Sequence, residues 1–112
     1  MKTKDELPAC PVATAVALIG GKWKLLILRN LKARPWRFNE LQRDLEGISQ
    51  KVLTDSLHQM IDDGLAYRKD YHEMPPKVEY RLTDLGREML PIIDALAEFG
   101  NYYKSVLSSK TE

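Results

Sequence analysis

The sequence is poor in the side chains that bind metals or form disulfides. Its 112 residues include one cysteine and two histidines, too few for a convincing zinc site or for a disulfide within one chain. A single cysteine also fits a reducing compartment. We therefore expect a cytoplasmic protein that needs no metal or other cofactor.

Long apolar runs and signatures of catalysis are also missing. No stretch approaches the roughly 18 residues that would cross a bilayer, and the polar N-terminus lacks the apolar segment of a signal peptide. There is no Ser/His/Asp set. A phosphate-binding glycine loop follows a strand, and no strand is predicted before Gly20-Gly21. We expect neither a membrane partner nor an enzyme.

The chain does contain enough apolar residues for one globular domain. Hydrophobic residues make up 44% of it, which suits a single modest core within residues 1–112. Residues 1–8 are polar and are expected to form a flexible arm. Two helices should follow, one from Pro11 to Gly20 and one over residues 22–33. In the second we expect buried positions at Trp23, Leu26, Ile27 and Leu31 and exposed ones at Lys24 and Arg29.

The net charge of +1 hides an uneven distribution. Six basic residues and no acidic ones lie between Leu7 and Asn39, whereas acidic residues outnumber basic ones after Thr83. Such asymmetry indicates one face turned toward a polyanion and another region with a different purpose.

Two short helices joined by a tight turn form the most informative stretch. The first is predicted to start near Asn39, which can cap it, and to stop at Gly47. The second spans residues 49–63, with Ser49 as its cap and Gly64 as its stop. Its apolar residues share one stripe, formed by Leu53, Leu57, Met60 and Ile61. This pair matches a helix-turn-helix, whose second helix reads the major groove, but a plain helical hairpin fits the stretch equally well.

An alternating pattern then predicts a β-hairpin over residues 65–82, with two prolines stiffening its turn. The residues assigned to one face of each strand are Leu65, Tyr67 and Tyr71 in the first and Val78, Tyr80 and Leu82 in the second. The segment 36–38 can add a short edge to this sheet. A hairpin directly after a helix-turn-helix is the wing of a winged helix. The predicted fold class is therefore mainly α with a small β-hairpin (α+β).

Residues 83–107 are predicted to form a final helix, capped by Thr83 and bent at Pro91. Its apolar side exceeds what the domain's own core requires, so we expect it to contact a second copy of the chain. The residues assigned to this dimer contact are Leu96, Phe99, Gly100 and Tyr103. The alternative is a helix that folds back over its own domain.

Short motifs along the chain resemble those of the HxlR-type transcriptional regulators, relatives of the MarR-like winged helices. The motifs are Cys10-Pro11-Val12, Gly20-Gly21-Lys22-Trp23, Arg37-Phe38-Asn39-Glu40-Leu41, Gly47-Ile48-Ser49, Lys51-Val52-Leu53-Thr54, Asp63-Gly64-Leu65, Pro75-Pro76-Lys77-Val78-Glu79-Tyr80 and Leu82-Thr83-Asp84-Leu85-Gly86. The resemblance implies a bacterial or archaeal homodimer on a roughly palindromic operator, with dimerisation through its N- and C-terminal helices. It departs from the family at His58, where many relatives have an arginine.

The leading hypothesis is a sequence-specific DNA-binding transcriptional regulator. Phosphate contacts are assigned to Lys22, Lys24, Arg37 and Lys77. The DNA-binding residues assigned to the second helix, at its start and on the face that reads bases, are Ser49, Gln50, Lys51, Thr54 and His58. Each of these residues can also be a solvated surface side chain. The alternative function is a winged helix for protein–protein contact, which predicts weak, salt-insensitive binding to DNA.

Cys10 has two interpretations. It stands just before the first turn of a helix, where free backbone N–H groups favour an anion, and no acidic residue follows until Glu40. These features favour a reactive thiolate, and the resemblance implies a sensor of a small electrophile or oxidant. The other interpretation is a small apolar residue buried in the dimer interface. Some relatives switch through a disulfide that joins one cysteine position to a different cysteine position of the partner subunit. This chain has one cysteine, so it cannot form that bond.

Overall fold

The computed structural model describes residues 2–110 and confirms a mainly helical chain with one β-hairpin. Four helices precede the hairpin and two follow it in this part of the chain. After a short 3-10 turn (Lys4–Glu6), the elements are α1 (Pro11–Ile19), α2 (Lys22–Ala33), α3 (Phe38–Asp44), α4 (Gln50–Asp62), β1 (Ala66–Asp70), β2 (Val78–Leu82), α5 (Asp84–Arg87) and α6 (Leu90–Lys110).

The core forms where α2, α4 and the hairpin meet. Leu53, Leu57 and Met60 of α4 are buried and Ile61 is half-buried, so the predicted apolar stripe faces inward. Full burial of each such side chain contributes about 1.5–3 kcal/mol. The stripe therefore fixes which side of α4 is left for solvent.

The predicted burial of α2 is partly wrong. Ile27 and Leu31 are buried as expected, but Leu28 is also fully buried, while Trp23 and Leu26 are only half-buried. Lys24, expected to be exposed, is half-buried as well. A helix packed against neighbours on two sides has a wider buried face than a single stripe indicates.

No single helix within residues 2–110 is long and apolar enough to cross a membrane. Only α1 and α2 taken together have the length and composition, and the chain bends by 79° between them. Since α2 supplies buried residues to the core, its apolar character has a structural explanation.

The start of α3 differs by one residue from the prediction. The helix begins at Phe38 because the Glu40 carboxylate accepts a hydrogen bond from the N–H of Arg37 at 2.8 Å. Asn39 therefore lies inside the helix and does not cap it. The helix ends at Asp44, and Gly47 follows in the turn with a φ of +91°, a conformation that suits glycine.

The predicted cap of α4 is confirmed. The Ser49 Oγ accepts a hydrogen bond from the N–H of Val52 at 3.1 Å, which satisfies one of the free donors at the helix start. At the other end Gly64 has a φ of +78° and ends the helix as expected.

A buried asparagine holds the helix-turn-helix against α2. The Asn30 side-chain amide donates to Asp44 at 2.8 Å, and its backbone carbonyl accepts from the Trp36 indole N–H at 2.8 Å. Because Asn30 is buried, these bonds also satisfy polar groups that water cannot reach. They set where α3 lies relative to α2.

The hairpin is antiparallel, with Ala66 opposite Leu82 and Asp70 opposite Val78. Trp36 adds the predicted short edge: the N–H of Tyr80 donates to the Trp36 carbonyl at 2.7 Å, and the Trp36 N–H donates back at 3.2 Å. The segment between α2 and α3 is thereby tied to β2.

The assignment of strand faces needs a correction. Opposite residues of an antiparallel pair share a face, so Ala66 lies with Tyr80 and Leu82 on the buried side. Tyr67 lies opposite Arg81 on the outer side, where it is exposed, and it does not share the core face as the alternating pattern suggested. Leu65 is buried, but it precedes the strand.

The predicted last helix is two helices. Thr83 caps the short α5, its Oγ1 accepting from the N–H of Gly86 at 2.9 Å. A new helix then starts at Leu90. Pro91 therefore lies in the first turn of α6, where a missing N–H costs nothing, and it does not bend a continuous helix.

Most of α6 extends away from the domain. Near its start Ile93 is buried in the core, and Asp94 pairs with Lys32 of α2 at 2.6 Å. Beyond this point the described helix leaves its large apolar side chains exposed: Leu96, Phe99, Tyr102, Tyr103 and Leu107. The alternative in which this helix folds back over its own domain is wrong. Val12 and Val16 of α1 are exposed too, so the apolar sides of both terminal helices lie open.

Candidate nucleic-acid interface

The solvent side of α4 carries the predicted reading residues. Ser49, Gln50, Lys51 and His58 are exposed, and Thr54 is half-buried. These five residues lie opposite or beside the buried stripe, so the core holds the helix while its polar side stays open. Side chains of these types can donate to and accept from base edges.

Lys51 is already paired in the absence of DNA. Its Nζ donates to Asp55 at 2.8 Å, one helical turn along. That hydrogen bond, with the charge of Asp55, raises the pKa of Lys51 above its ordinary value. The pair is exposed, and such pairs contribute little. The ammonium has further N–H groups, so Lys51 can donate to a base while Asp55 remains its partner.

The wing carries a second group of cations, held on an aromatic ring. The Nζ of Lys77 lies 4.5 Å from the centroid of the Tyr71 ring, and the Nζ of Lys69 lies 5.0 Å from it. The Tyr71 hydroxyl donates to Glu79 at 2.6 Å and accepts from Arg81 at 2.9 Å. The hydrogen bond from Tyr71 lowers the pKa of Glu79 below its ordinary value, so this carboxylate stays charged and holds the ring in place.

Sequence reasoning identified Lys77 but missed Lys69 and the role of Tyr71. The register of the strands brings Lys69 opposite Glu79 on the outer side of the hairpin. Alternation alone could have placed Lys69 and Tyr71 on one side of the strand. It could not show that two lysines converge on a single ring.

A cleft of about 400 Å³ separates the start of α3 from the wing. Arg37, which was predicted to contact phosphate, lines it together with Asn39 and Arg43 of α3 and Pro76 of the wing. The hydrogen bond from the Arg37 N–H lowers the pKa of Glu40, also in this cleft, so its carboxylate is charged. Arg43 is an exposed cation that sequence reasoning did not single out.

Lys24, one of the two lysines of α2 that were predicted to contact phosphate, lies apart from this group. The Nζ of Lys22 lies 4.4 Å from the centroid of the Trp23 ring at the start of α2. Lys24 lines a pocket of about 210 Å³ with Gln59 and Asp62, at the end of α4 remote from Ser49. The structure therefore does not bring Lys24 to the start of the reading helix.

Cys10 lies at the position expected for it, directly before α1, and it is exposed. The hydroxyl of Thr14 donates to the carbonyls of Pro8 and Cys10, at 2.9 and 3.1 Å, and so ties the chain before Cys10 to the first turn of α1. Within the single chain the thiol is not buried.

The four residues assigned to a dimer contact lie along the exposed part of α6. Leu96, Phe99 and Tyr103 are exposed, and the Phe99 and Tyr103 rings contact each other with centroids 6.4 Å apart. A methyl group added at Gly100 would meet no atom within 4 Å. The surface beside Gly100 is thus open to another helix.

Comparison with known proteins gives a family-level match. The family model described as HxlR-like helix-turn-helix matches residues 18–108. An uncharacterized HTH-type transcriptional regulator of Methanothermobacter thermautotrophicus is 46% identical over 101 residues, covering 90% of this chain and 77% of that protein. The uncharacterized HTH-type transcriptional regulator YdeP of Bacillus subtilis is 40% identical over 102 residues, covering 91% and 80%.

Solved structures of redox-related regulators are similar to this chain. The redox regulator HypR in its reduced form is 40% identical with a TM-score of 0.83, the match covering 89% of this chain and 99% of HypR. The oxidized form of HypR is 41% identical with a TM-score of 0.80, and the match covers 83% of this chain and 96% of HypR. The diamide-treated YodB from B. subtilis is 29% identical with a TM-score of 0.70, covering 84% and 94%.

Proposed function

Because the chain belongs to the HxlR-like helix-turn-helix family, we propose that this transcriptional regulator binds a palindromic operator as a homodimer and reads its sequence with α4. The observation that carries the proposal is the position of the polar side of α4. Gln50, Lys51 and His58 are exposed on a helix whose other side is locked in the core. A rigid element that presents such side chains suits base readout in the major groove.

Phosphate contacts fix the register of a reading helix on DNA. We assign them to the cations on the two sides of the cleft between α3 and the wing: Lys69 and Lys77 on the wing, and Arg37 and Arg43 on α3 and the residue before it. Lys69 and Lys77 share the Tyr71 ring, so they form a pre-arranged pair rather than two independent mobile charges. Lys24 is less suitable, since it lies at the end of α4 remote from Ser49.

Replacement of the reading residues tests the role of α4. Lys51→Ala and Gln50→Ala should each remove discrimination between the operator and unrelated DNA at the contacted base, at a cost of roughly 1–3 kcal/mol per contact. Both residues are exposed, so the fold should not change. The measurement is a comparison of operator and scrambled-site affinity at one salt concentration, after selection of the operator from random DNA.

Gln59→Ala is the matched control. Gln59 is an exposed glutamine on the same helix, but it lies at the far end, where it lines the pocket with Lys24. Its replacement should leave discrimination unchanged. Equal discrimination in wild type, Lys51→Ala and Gln50→Ala would remove α4 as the reading helix.

The homodimer is proposed from the open apolar sides of α1 and α6. In a two-fold dimer these sides would be buried against the same sides of a second chain. Binding of each α4 to a successive major groove on one side of the duplex then requires a separation of about 34–36 Å, one turn of DNA.

We assign Cys10 the role of a sensor in this dimer. The support is its exposure at the start of α1, next to the apolar side of that helix, and the similarity to HypR and YodB. With one cysteine per chain, the thiol can be alkylated by a quinone, capped by a small thiol, or joined to its symmetry mate within disulfide reach. Each modification adds a covalent group beside the terminal helices and would change the spacing of the two reading helices.

The sensor role predicts a cysteine-dependent response to thiol reagents. Diamide or a quinone should change operator affinity of the wild type by at least several-fold, whereas Cys10→Ser should bind the operator normally and not respond. Gel-shift titrations before and after treatment measure this. If both proteins respond alike, or if neither does, Cys10 is not a sensor.

A further inference from the structure

Three arginines line a small pocket at the end of the hairpin opposite the wing tip. The pocket has a volume of about 150 Å³, the space of roughly five water molecules at about 30 Å³ each. Its arginines are Arg34 from the loop after α2, Arg81 of β2 and Arg87 of α5. We call it the arginine pocket. The remaining lining residues are uncharged: Leu31, Ala33, Pro35, Tyr67 and Leu82.

The positive charge around this pocket is only partly compensated. Arg34 lies 3.4 Å from Glu40, and Arg81 lies 3.3 Å from Glu79, but neither carboxylate lines the pocket. Within residues 2–110, Arg87 makes no ion pair or side-chain hydrogen bond. The Nε of Arg81 is buried without a hydrogen-bond acceptor among the described residues. Arg34 also donates to the Pro35 carbonyl at 2.8 Å and stacks on the Trp36 ring. The donors left without an acceptor are therefore those of Arg87 and the Nε of Arg81.

The position of Arg87 is fixed by the backbone around it. The Thr83 hydroxyl donates to the carbonyl of Gly64 at 2.6 Å and caps α5 through Gly86. A Cβ at Gly86 would lie 2.0 Å from the Leu65 carbonyl oxygen, which shows how closely α5 lies against that segment. Arg87 follows directly on this anchored turn.

Among the described residues, Arg81 connects the pocket to the surface assigned to DNA, since its guanidinium donates to Tyr71 at 2.9 Å; the rest of the pocket lies elsewhere. Trp36 pairs with Tyr80. Arg37, which follows Trp36, lines the cleft, whereas Arg34, before Trp36, and Arg81, after Tyr80, line the arginine pocket. The cleft adjoins Pro76 of the wing, whereas the arginine pocket adjoins α5, which connects the hairpin to α6. A ligand here would contact the root of the terminal helix rather than the reading head.

We propose that the arginine pocket binds a small oxyanion, such as inorganic phosphate or a small carboxylate. Guanidinium groups donate hydrogen bonds to such oxygens. The Arg87 side chain has no partner among the described residues and the Arg81 Nε has no acceptor, so both can donate to an anion in this space. Tyr67, which also lines the pocket and whose hydroxyl has no hydrogen bond to another described residue, supplies a further donor. The bound anion links α5 to the loop after α2 and so holds the start of α6 to the domain.

Isothermal titration of the full chain with sodium phosphate tests this site. We expect one binding event per chain in the wild type and an affinity at least about tenfold lower in Arg87→Gln, which loses a charged donor. Arg68→Gln is the matched control, since Arg68 lies on the other face of the same hairpin and outside the pocket. It should bind phosphate as the wild type does. Parallel titrations with acetate and benzoate show which oxyanion is preferred.

The comparison between variants separates site binding from a general salt effect, because phosphate stabilises most proteins by exclusion from their surface. Equal phosphate binding, or none, in wild type and Arg87→Gln overturns the proposal; the arginines would then serve only to offset the negative end of α2. If Arg87→Gln does not fold by circular dichroism, Arg34→Gln replaces it. Displacement of phosphate by duplex DNA would also overturn the proposal, since the pocket would then hold the DNA backbone.

Discussion

Phe99→Glu should convert the protein from a dimer to a monomer and weaken operator binding by about 10²–10⁴-fold. Phe99 lies in the middle of the open apolar side of α6, between Leu96 and Tyr103. A carboxylate there would have to be buried without a partner in a two-fold contact, which is costly. A monomer has one α4 instead of two, so it loses the gain in affinity that comes from linking two binding sites. That gain sets the size of the expected loss in operator affinity.

Sedimentation equilibrium at micromolar concentration measures the assembly, with 12.9 kDa for one chain as the reference mass. Asn101→Glu is the matched control: it adds the same charge to the same helix, about half a turn away from the side of Phe99. It should remain dimeric and bind DNA. A wild-type protein that sediments as one chain would remove the dimer from the proposed function.

Operator binding should also fall steeply with salt. The four phosphate contacts proposed for each subunit, from Lys69, Lys77, Arg37 and Arg43, would give about eight in the proposed dimer. Release of the corresponding counterions lowers affinity by roughly 10³–10⁵ between 50 and 200 mM salt. Fluorescence anisotropy with a labelled operator across this range gives the slope of log affinity against log salt concentration.

The slope also distinguishes the two functions. Lys77→Ala should reduce it by about two, one for each subunit, while leaving sequence preference intact. Lys104→Ala, which removes an exposed lysine from α6, should not change it. Weak binding that does not depend on salt would favour the protein–protein module instead.

Much of this fold could be predicted because its signals are local. Ser49 and Gly64 mark the two ends of α4 through a side-chain cap and a positive φ, both of which involve residues close in sequence. The apolar stripe of α4 indicates the buried side for the same reason. The reading face then follows, since it is the side that remains.

The differences arise where the answer depends on distant parts of the chain. Alternation in β1 separates two faces, but only packing decides that Ala66 rather than Tyr67 lies inside. Pro91 suits the first turn of a helix as well as a bend, and the close approach of Gly86 to Leu65 joins segments that are distant in sequence.

The candidate sites show the same limit. Lys69 and Lys77 meet on Tyr71 only through the strand register, and the arginine pocket gathers residues from α5, β2 and the loop after α2. No spacing in the sequence reveals such a cluster. The assignment of Lys24 to phosphate contact relied on charge alone, and charge in sequence does not locate a side chain in space.

The ion pair between Lys51 and Asp55 has a consequence for how quickly the protein finds its target. On random DNA, Asp55 accepts one N–H of Lys51 and places a negative charge near the phosphates, so the reading helix gains little by staying. We therefore expect short residence on unrelated sequence and rapid onward movement along the genome. A base pair that offers acceptors to the remaining N–H groups of Lys51 would turn a passing encounter into a long-lived complex.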